Sequence, residues 1–487
     1  MSKNEFPSEL FLPLLQEANV PRYIALFRAL RQSIIEGKLI AGAKLPASRP
    51  LAQSLKLSRN TVKSAFELLL AEGYIETRRG SGSFVSDSVC VAGPTANVIQ
   101  NRPVTKSSAK LSNLAERLNW QSHHKVPYAK YLLEPAIPAL AEFPWIKWQR
   151  AVNYAGRVMK HEMESSGLGS LQLRVQIASY LQVVRGVNCH ENNILVFSGS
   201  QQAIYLSLQL LLDPGESVFV EEPCYFGIDG AVNAIGANKI LIDIDQQGFN
   251  LKEEKQHQAN LAVVTPSRNY PLGTTLSLQR RIALLQWAKD SGSWIIEDDY
   301  DSEFRFDGPP LTSLQGLDSA QRVIYAGTFS RILHPSIRIG YLVLPDQLVQ
   351  PFSCAKALMQ GNVSILPQLA LAQFMAAGHF SSHVRRMRKL YHGRRNLLQE
   401  LVAQYLCEYL TLVPSDGGMH CVYLLGAGYS DKVICQRARA LGVGIKNLSD
   451  YYSSDNKSQG IVIGFAGFNE QQQRRAIRAL ESIFSEY

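Results

Sequence analysis

The segment Leu57-Ser58-Arg59-Asn60-Thr61-Val62 determines the fold expected for the N-terminal part of the chain. Ser58 predicts the start of a helix, because a serine oxygen can accept a backbone N–H of the first helical turn. Apolar residues then recur at helical spacing and predict the buried face of this helix: Val62, Ala65, Phe66 and Leu69. The segment therefore predicts a short amphipathic helix with a defined beginning.

Two further helices are expected upstream. The first carries Ile24, Phe27, Leu30 and Ile34 at helical spacing and ends at Gly37. For the second, Ser48 is the expected cap, and the helix continues through Arg49, Leu51, Ala52 and Leu55.

A basic hairpin is predicted downstream of the third helix. Residues 74–77 alternate like a strand, Arg78-Arg79-Gly80-Ser81-Gly82 forms a glycine-rich turn, and residues 83–85 return. Three helices followed by a basic hairpin predict a winged helix-turn-helix.

Positive charge is concentrated in this region. The whole chain carries a formal charge of +9, and residues 21–86 hold 11 Lys or Arg against four acidic residues, a net +7. A local excess of this size is typical of a module that binds the phosphates of nucleic acid. The first turns of the third helix present Arg59, Asn60, Thr61 and Lys63, where a recognition helix meets base edges and phosphates.

The stretch from Ala47 to Val85 closely resembles the GntR family of bacterial DNA-binding domains. The resemblance rests on Ala47-Ser48-Arg49, residues 57–62, Ala71-Glu72-Gly73-Tyr74 and residues 80–85. It implies contact with operator DNA by the recognition helix and the wing, through Arg49, Ser58, Arg59, Asn60, Thr61, Lys63, Arg78, Arg79, Ser81 and Gly82.

The rest of the chain divides into a linker and a large body. Residues 87–112 lack apolar periodicity and predict a mobile linker between a head at 20–86 and a body at 113–487. With 487 residues and 46 % hydrophobic content, the chain can form a small domain and a large one.

Five short apolar runs predict buried parallel strands and therefore an α/β body with a large sheet. They are Ile194–Phe197, Ser217–Val220, Leu261–Val264, Trp294–Glu297 and Val323–Ala326. Ligands of such sheets bind at the carboxyl ends of the strands. Polar or aromatic residues follow each run, within Gly199–Gln202, Glu222–Tyr225, Thr265–Pro271, Glu297–Asp301 and Gly327–Arg331.

A phosphate grip, an aromatic face, a carboxylate for a pyridine nitrogen and a phenol for a ring hydroxyl are what pyridoxal phosphate requires. Their order resembles the fold type I aminotransferases, and with the head the whole chain resembles the MocR/GabR type of regulator. Such proteins are homodimers that bind DNA through the head and a pyridoxal phosphate-linked signal through the body. The resemblance implies that the phosphate is bound by a group here called the phosphate side: Ser200, Gln201, Thr328, Ser330 and Arg338. It also implies a group here called the ring side. In this group Asp298 faces the pyridine nitrogen, Tyr300 and Asn269 face the ring hydroxyl, and Tyr225 lies on the ring face.

Several positions depart from a working site of that type. Arg331 stands where the Schiff-base lysine is expected, and a guanidinium stays protonated and forms no stable Schiff base. Glu164 replaces a tyrosine of the phosphate side and would repel a phosphate. Arg268-Asn269 replaces His-Gln, and Ile461–Ala466 contains no arginine for a substrate carboxylate.

These departures predict a regulator without catalysis, whose body senses a ligand or serves as a dimerisation platform. The pocket is expected to hold pyridoxal phosphate non-covalently, to hold another acidic effector through Arg331 and Arg338, or to be scaffolding. The alternative is an active aminotransferase with a DNA-binding appendage, which would need an unforeseen lysine such as Lys289.

The cysteines and the apolar runs of the sequence do not distinguish a regulator from an enzyme. Seven scattered cysteines contain no Cys-x-x-Cys pair and predict neither disulfides nor a zinc site. No signal peptide and no apolar run of about 20 residues is present, so the sequence predicts a cytoplasmic protein without a membrane partner.

Overall fold

The computed structural model describes residues 20–78, 80–87, 111–118, 131–161, 167–252, 259–308, 310–361 and 363–487. It forms two compact units, Met1–Lys110 and Leu111–Tyr487, here called the head and the body. Within the described ranges, every helix is too short or too polar to span a lipid bilayer.

The head contains the three helices and the hairpin that the sequence predicts. Its elements are α1 (Arg22–Ile35), α2 (Ser48–Ser54), α3 (Arg59–Ala71), β1 (Ile75–Arg78) and β2 (Gly82–Val85). The core joins all of them through residues such as Leu30, Leu51, Val62, Leu69 and Val85, each at most 1 % exposed. The two strands pair antiparallel, with Ile75 opposite Val85 and Arg78 opposite Gly82.

One helix start in the head agrees with the sequence prediction and the other does not. The Ser58 side chain accepts the backbone N–H of Thr61 at 3.1 Å, as expected. Ser48, in contrast, is the first residue of α2, and its predicted role as a cap is wrong. A capping Ser48 would need the N–H of Pro50 or Leu51, but proline has none, and the N–H of Leu51 is donated to the Ala47 carbonyl.

The body is an α/β unit built on an eight-stranded sheet. Its strands are β3 (Ile194–Phe197), β4 (Ser217–Glu222), β5 (Asn238–Asp245), β6 (Gly248–Phe249), β7 (Leu261–Val264), β8 (Trp294–Asp299), β9 (Val323–Thr328) and β10 (Gly340–Val343). They lie in the order β3-β10-β9-β8-β7-β4-β5-β6. The five predicted strands are therefore all present in this sheet.

The sheet is mixed rather than wholly parallel. β10, which the sequence argument missed, lies between β3 and β9 and is antiparallel to both. The five predicted strands still run in the same direction, because β3 and β9 are both antiparallel to β10 and therefore parallel to each other. Their carboxyl ends consequently lie along one edge of the sheet.

Helices cover this sheet, and a second sheet of four strands follows it in the chain. The body helices are α4 (Asn113–Leu118), α5 (Trp145–Val158), α6 (Leu171–Arg185), α7 (Ser200–Leu211), α8 (Phe226–Ile235), α9 (Leu278–Ser291), α10 (Leu314–Leu317), α11 (Asp346–Gln360), α12 (Ile365–Ala376), α13 (His379–Tyr405), α14 (Asp431–Ala440) and α15 (Glu470–Ser485). The small sheet has the order β11-β12-β14-β13, formed by Leu410–Val413, His420–Leu425, Gly460–Gly464 and Lys446–Asn447.

Candidate DNA-binding face and ligand pocket

The start of α3 presents polar side chains to solvent. Arg49, Ser58, Arg59, Asn60 and Lys63 are exposed, and Thr61 is half-buried. Among the described residues, Lys63 pairs with Glu67 at 3.7 Å, while no ion pair engages the guanidinium of Arg49 or Arg59. These two guanidinium groups are therefore available for a phosphate or a base edge.

The wing is held by contacts around Phe84. The Arg78 guanidinium lies 4.7 Å from the centre of the Phe84 ring and 2.6 Å from Glu76 Oε1. The Ser81 N–H donates to the Arg78 carbonyl, and Gly82 has a φ of 111°, which favours glycine. Arg79, another predicted wing residue, lies outside the described residues.

In the body, the predicted site residues follow the carboxyl ends of neighbouring strands. The pairs Val264↔Glu297 and Asp299↔Gly327 fix the register of β7, β8 and β9. The register therefore brings the segments after these strands to one edge of the sheet, as the sequence predicts for a ligand site.

The predicted phosphate side is formed by two close backbones. A Cβ on Gly340 would lie 2.4 Å from Ser200 N, so β10 directly contacts the start of α7. Gly340 pairs with Thr328, whose hydroxyl accepts the N–H of Ser330 at 3.2 Å. Backbone N–H groups at the start of a helix favour an anion.

Two residues of the predicted phosphate side differ in their availability. Gln201 donates through its side-chain amide to the Gly227 carbonyl at 2.7 Å, so this amide is already engaged. Arg338 is exposed, in the left-handed region with a φ of 52°. Of the two, Arg338 is the residue with a free charge for a dianion.

The ring side contains two buried polar atoms that lack a partner. Asp298 Oδ1 and Tyr300 Oη are inaccessible to solvent and have no hydrogen-bond partner among the described residues. Buried polar atoms are nearly always paired, so these two atoms are the ones that a ligand would satisfy. A protonated ring nitrogen and a ring hydroxyl would satisfy them, and the donor set therefore fits pyridoxal phosphate.

Asn269 and its neighbour Tyr270 are both buried beside the predicted ring side. The Asn269 amide donates to Glu221 Oε2 at 3.0 Å and to the Pro223 carbonyl at 3.4 Å. The Tyr270 ring is 5.6 Å from those of Tyr225 and Tyr300. Tyr270 therefore packs between two residues of the predicted ring side, a contact that sequence reasoning did not include.

Arg331 bonds to a distant segment and acts on two predicted ring-side residues. Its Nη1 donates to the Ala136 carbonyl at 2.7 Å. Burial raises the pKa of Tyr225, and the positive charge of Arg331 opposes that rise. The guanidinium is also close enough to Asp298 to lower the pKa of that carboxyl against the effect of burial. The charge at position 331 is therefore felt by both the predicted ring-face residue and the predicted nitrogen partner.

The pocket is unusually rich in buried carboxyl groups. Burial is the main cause that raises the pKa of Asp298 and Glu221 to about 7 and that of Asp301 to about 6. Arg268 opposes the rise at Asp301, because its Nε lies 3.4 Å from Asp301 Oδ2. A cationic ligand group beside Asp298 would favour its ionised form.

Three other sequence predictions concern Lys289, Glu164 and β14. Lys289 is exposed near the end of α9 and is not among the pocket residues described above. Glu164 lies outside the described residues. β14 contains the sequence Gly-Ile-Val-Ile-Gly and is fully buried.

Known protein families match both the head and the body. Residues 22–85 match the model of bacterial regulatory proteins of the gntR family, and residues 160–480 match the model of class I and II aminotransferases. The chain is 34 % identical over 97 % of its length to a probable rhizopine catabolism regulatory protein MocR of Rhizobium meliloti, covering 96 % of that protein. The chain belongs to the MocR type of GntR-family regulators.

Further relatives support the same assignment. An HTH-type pyridoxine biosynthesis transcriptional regulator, PdxR of Corynebacterium glutamicum, is 30 % identical over 97 % of this chain and 99 % of its own. A kynurenine aminotransferase of Pyrococcus horikoshii superposes with a TM-score of 0.68 and 25 % identity, covering 78 % of this chain and 95 % of that structure. This MocR-type chain is thus a transcriptional regulator with an aminotransferase-like body, and pyridoxal phosphate is a ligand that this fold normally binds.

Proposed function

We propose that this MocR-type regulator binds operator DNA through α3 and the wing, and that its body binds a pyridoxal phosphate-like ligand without catalysing amino transfer. The proposal rests on Arg331, which the resemblance assigns to the Schiff-base lysine position and whose Nη1 donates to the Ala136 carbonyl at 2.7 Å. We further propose that the regulator acts as a homodimer in the cytoplasm.

The proposal of DNA binding rests on the surface of the head. The exposed guanidinium groups of Arg49 and Arg59 flank a helix start whose cap is formed by Ser58. The resemblance assigns operator contact to this helix and to the wing residues Arg78, Ser81 and Gly82. Contacts to phosphates set the position of the protein, while contacts to base edges provide sequence specificity.

The absence of catalysis follows from the chemistry of residue 331. A lysine amine can lose its proton and attack an aldehyde carbon, whereas the delocalised guanidinium retains its proton and acts only as a hydrogen-bond donor. With no arginine in β14, the second element expected of an amino acid substrate site is also missing. The body can bind and orient a ligand but lacks the nucleophile.

Pyridoxal phosphate, when bound, would supply an aldehyde conjugated to a pyridine ring that can accept electrons. Asp298 and Tyr300 would hold its ring nitrogen and hydroxyl, and Tyr225 its face. The start of α7 with Ser200, Thr328, Ser330 and Arg338 would hold the phosphate. Arg331 would contribute hydrogen bonds and positive charge, which also suit a different acidic effector.

Titration of the purified chain with three related ligands tests the proposal for the body. Pyridoxal phosphate and pyridoxine phosphate, which carry oxygen at the 4′ carbon, should bind better than pyridoxamine phosphate. The ammonium of the last compound would lie in the field of Arg331, and one such repulsive contact weakens binding about tenfold or more. Bound pyridoxal phosphate should be removed completely by dialysis, even after borohydride treatment.

Two alternatives make different predictions in the same experiments. An active aminotransferase would retain a borohydride-fixed ring on a lysine and would transfer amino groups between an amino acid and a keto acid. A body that serves only as a scaffold would show no heat of binding with any of the three ligands. Retention of operator DNA tests the head independently of both outcomes.

A further inference from the structure

A cavity of about 1010 Å³ opens in the body beside the segment that carries Tyr225, since Cys224 and Phe226 both line it. It is lined by residues of α8 and the adjacent β5 and by α14 and β13 of the small sheet. Asp298, Tyr300 and Arg331 do not line it. The N–H of Cys224 donates to the carbonyl of Tyr451 at 3.1 Å, and both residues belong to the cavity wall. The volume lies at the upper end of the range of about 300–1,000 Å³ found for ligand sites.

One corner of this cavity is built rigidly around Glu134. The N–H of Leu132 donates to the Gly442 carbonyl, and the N–H of Gly444 donates back to the Leu132 carbonyl. A Cβ on Gly464 would lie 2.3 Å from the Glu134 carbonyl oxygen, and one on Gly444 would lie 3.2 Å from Glu134 Cβ. The backbone of Glu134 is therefore fixed against the small sheet by glycines that leave no space for a side chain.

The Glu134 carboxylate is buried and only partly balanced. The residue is 4 % exposed, and its Oε1 lies 3.6 Å from Lys446 Nζ. Its Oε2 has no hydrogen-bond partner among the described residues. Burial raises the pKa of this carboxyl, and the charges of Lys446 and Arg439 oppose the rise. A further donor at this carboxylate would be stabilising.

Positive charge at the same corner is also incompletely paired. The Arg439 guanidinium lies 5.0 Å above the Tyr131 ring, and no carboxylate pairs with it in the described part of the chain. Elsewhere on the wall, Lys239 pairs with Asp229, and Lys432 lies 3.6 Å from Asp450. Glu134, Lys446 and Arg439 thus form a corner of the cavity wall with one carboxylate and two cations.

We propose that this corner is a second ligand site that binds the head group of an α-amino acid. The ligand ammonium would donate to Glu134, and its carboxylate would accept from Lys446 and Arg439. An anion without an amine would be repelled by Glu134, and an amine without a carboxylate would be repelled by the two cations. The 3.6 Å spacing of Glu134 and Lys446 suits two charges on one carbon atom of the ligand. The site lies beside the ring pocket rather than in it, because Asp298, Tyr300 and Arg331 do not line the cavity.

The twenty common L-α-amino acids, titrated one at a time against the full chain by calorimetry, test this proposal. At least one should bind. The strongest should then be compared with its des-amino acid and with its decarboxylated amine, each of which should bind about tenfold more weakly or worse, because each loses one charged partner. Binding by none of the twenty, or equal binding by either analogue, would overturn the proposal.

Variants locate the binding to this corner. Glu134→Gln and Arg439→Met should each weaken the amino acid about tenfold or more. Glu408→Gln, an exposed matched control, should bind like the parent chain. If a folded Glu134→Gln or Arg439→Met chain binds the amino acid as tightly as the parent chain, the proposal is contradicted. If Glu134→Gln does not fold, Arg439→Met alone provides the test. Titration of the same variants with pyridoxal phosphate should be unaffected, which separates this site from the ring pocket.

Discussion

Arg331 Nη1 donates a hydrogen bond to the carbonyl oxygen of Ala136, 2.7 Å away and 195 residues distant in the chain. The arginine follows β9 of the large sheet, whereas the segment before Ala136 is bound to the small sheet through the bond from the Gly464 N–H to the Leu133 carbonyl. The side chain at position 331 thus links the pocket edge to the segment attached to the small sheet. The same cation moderates the ionisation of Tyr225 and Asp298.

Arg331→Lys is expected to gain the covalent chemistry that the parent chain lacks. The variant supplies an amine in a pocket where Asp298 and Tyr300 already have unsatisfied atoms. With pyridoxal phosphate it should develop the visible absorbance of a Schiff base, and borohydride should fix the ring to the peptide that contains position 331. Mass spectrometry of the digested protein checks the location.

Arg385→Lys is the matched control for this gain, because Arg385 is exposed on α13, away from the pocket. It should remain unmodified under the same treatment. If Arg331→Lys also remains unmodified while binding the ligand, the amine does not reach the aldehyde, and the interpretation of position 331 is wrong.

Asp298→Asn should change how stability depends on pH. The folded chain keeps the Asp298 proton up to a pKa of about 7, whereas the unfolded chain releases it near 3.8. The folded state therefore binds more protons between these values, and the parent loses stability as pH rises through this window. The unfolding free energy of the variant relative to the parent should rise from pH 4 to 7 by on the order of a few kcal/mol and stay constant above pH 7, and the relative melting temperature should rise with it.

Thermal melts of ligand-free protein at several pH values measure this difference. Asp455→Asn is a suitable control because Asp455 is exposed. The stability difference between this variant and the parent should not follow the same dependence on pH. A difference for Asp298→Asn that is flat between pH 4 and 7 would show that Asp298 titrates as an ordinary carboxyl.

The strands and the helix cap at Ser58 could be predicted from the sequence because their signals are local. An apolar run such as Leu261–Val264 is bounded by polar residues, and its observed limits equal the predicted ones. β10 was missed although residues 341–344 form an apolar run as local as that of β3, its neighbour in the sheet. The cap at Ser48 was wrong because Pro50 removes a donor, an effect that local propensity does not include.

The pocket was predictable in outline and not in detail. Tyr225, Asp298 and Tyr300 occur at strand ends, which the sequence can locate. The bond of the Asn269 amide to the buried Glu221 joins residues 48 positions apart, and local patterns do not indicate it. The bond of Arg331 to Ala136 joins distant segments, and no periodicity in the sequence indicates it.

Arg59→Ala should weaken operator binding. Arg59 is exposed at the first position of α3 and is engaged by no ion pair within the described ranges, so its guanidinium is available to DNA. A lost contact to a base edge or phosphate costs about 1–3 kcal/mol, or about 5–150-fold in affinity. Fluorescence anisotropy with an operator selected from genomic fragments measures the change over a range of salt concentrations.

The salt dependence distinguishes two roles for Arg59. Loss of a phosphate contact should reduce the slope of log affinity against log salt by about 1, whereas loss of a base contact should relax sequence preference. Arg385→Ala in the body is the control and should leave affinity unchanged. Equal affinity of Arg59→Ala and the parent at every salt concentration would contradict the assignment of α3.

Gly340→Ala and Gly393→Ala should shift stability in opposite directions. The new methyl at 340 would lie 2.4 Å from Ser200 N and 2.5 Å from Gly199 C, so β10 and the start of α7 must separate. Such overpacking costs about 1–3 kcal/mol and should also weaken binding of a phosphate at the start of α7. At Gly393, inside α13, no atom lies within 4 Å of the added carbon, and alanine should stabilise the helix by roughly 0.5–1 kcal/mol. Chemical denaturation measures both changes, and a Gly340→Ala chain as stable as the parent would show that the two backbones are not in contact.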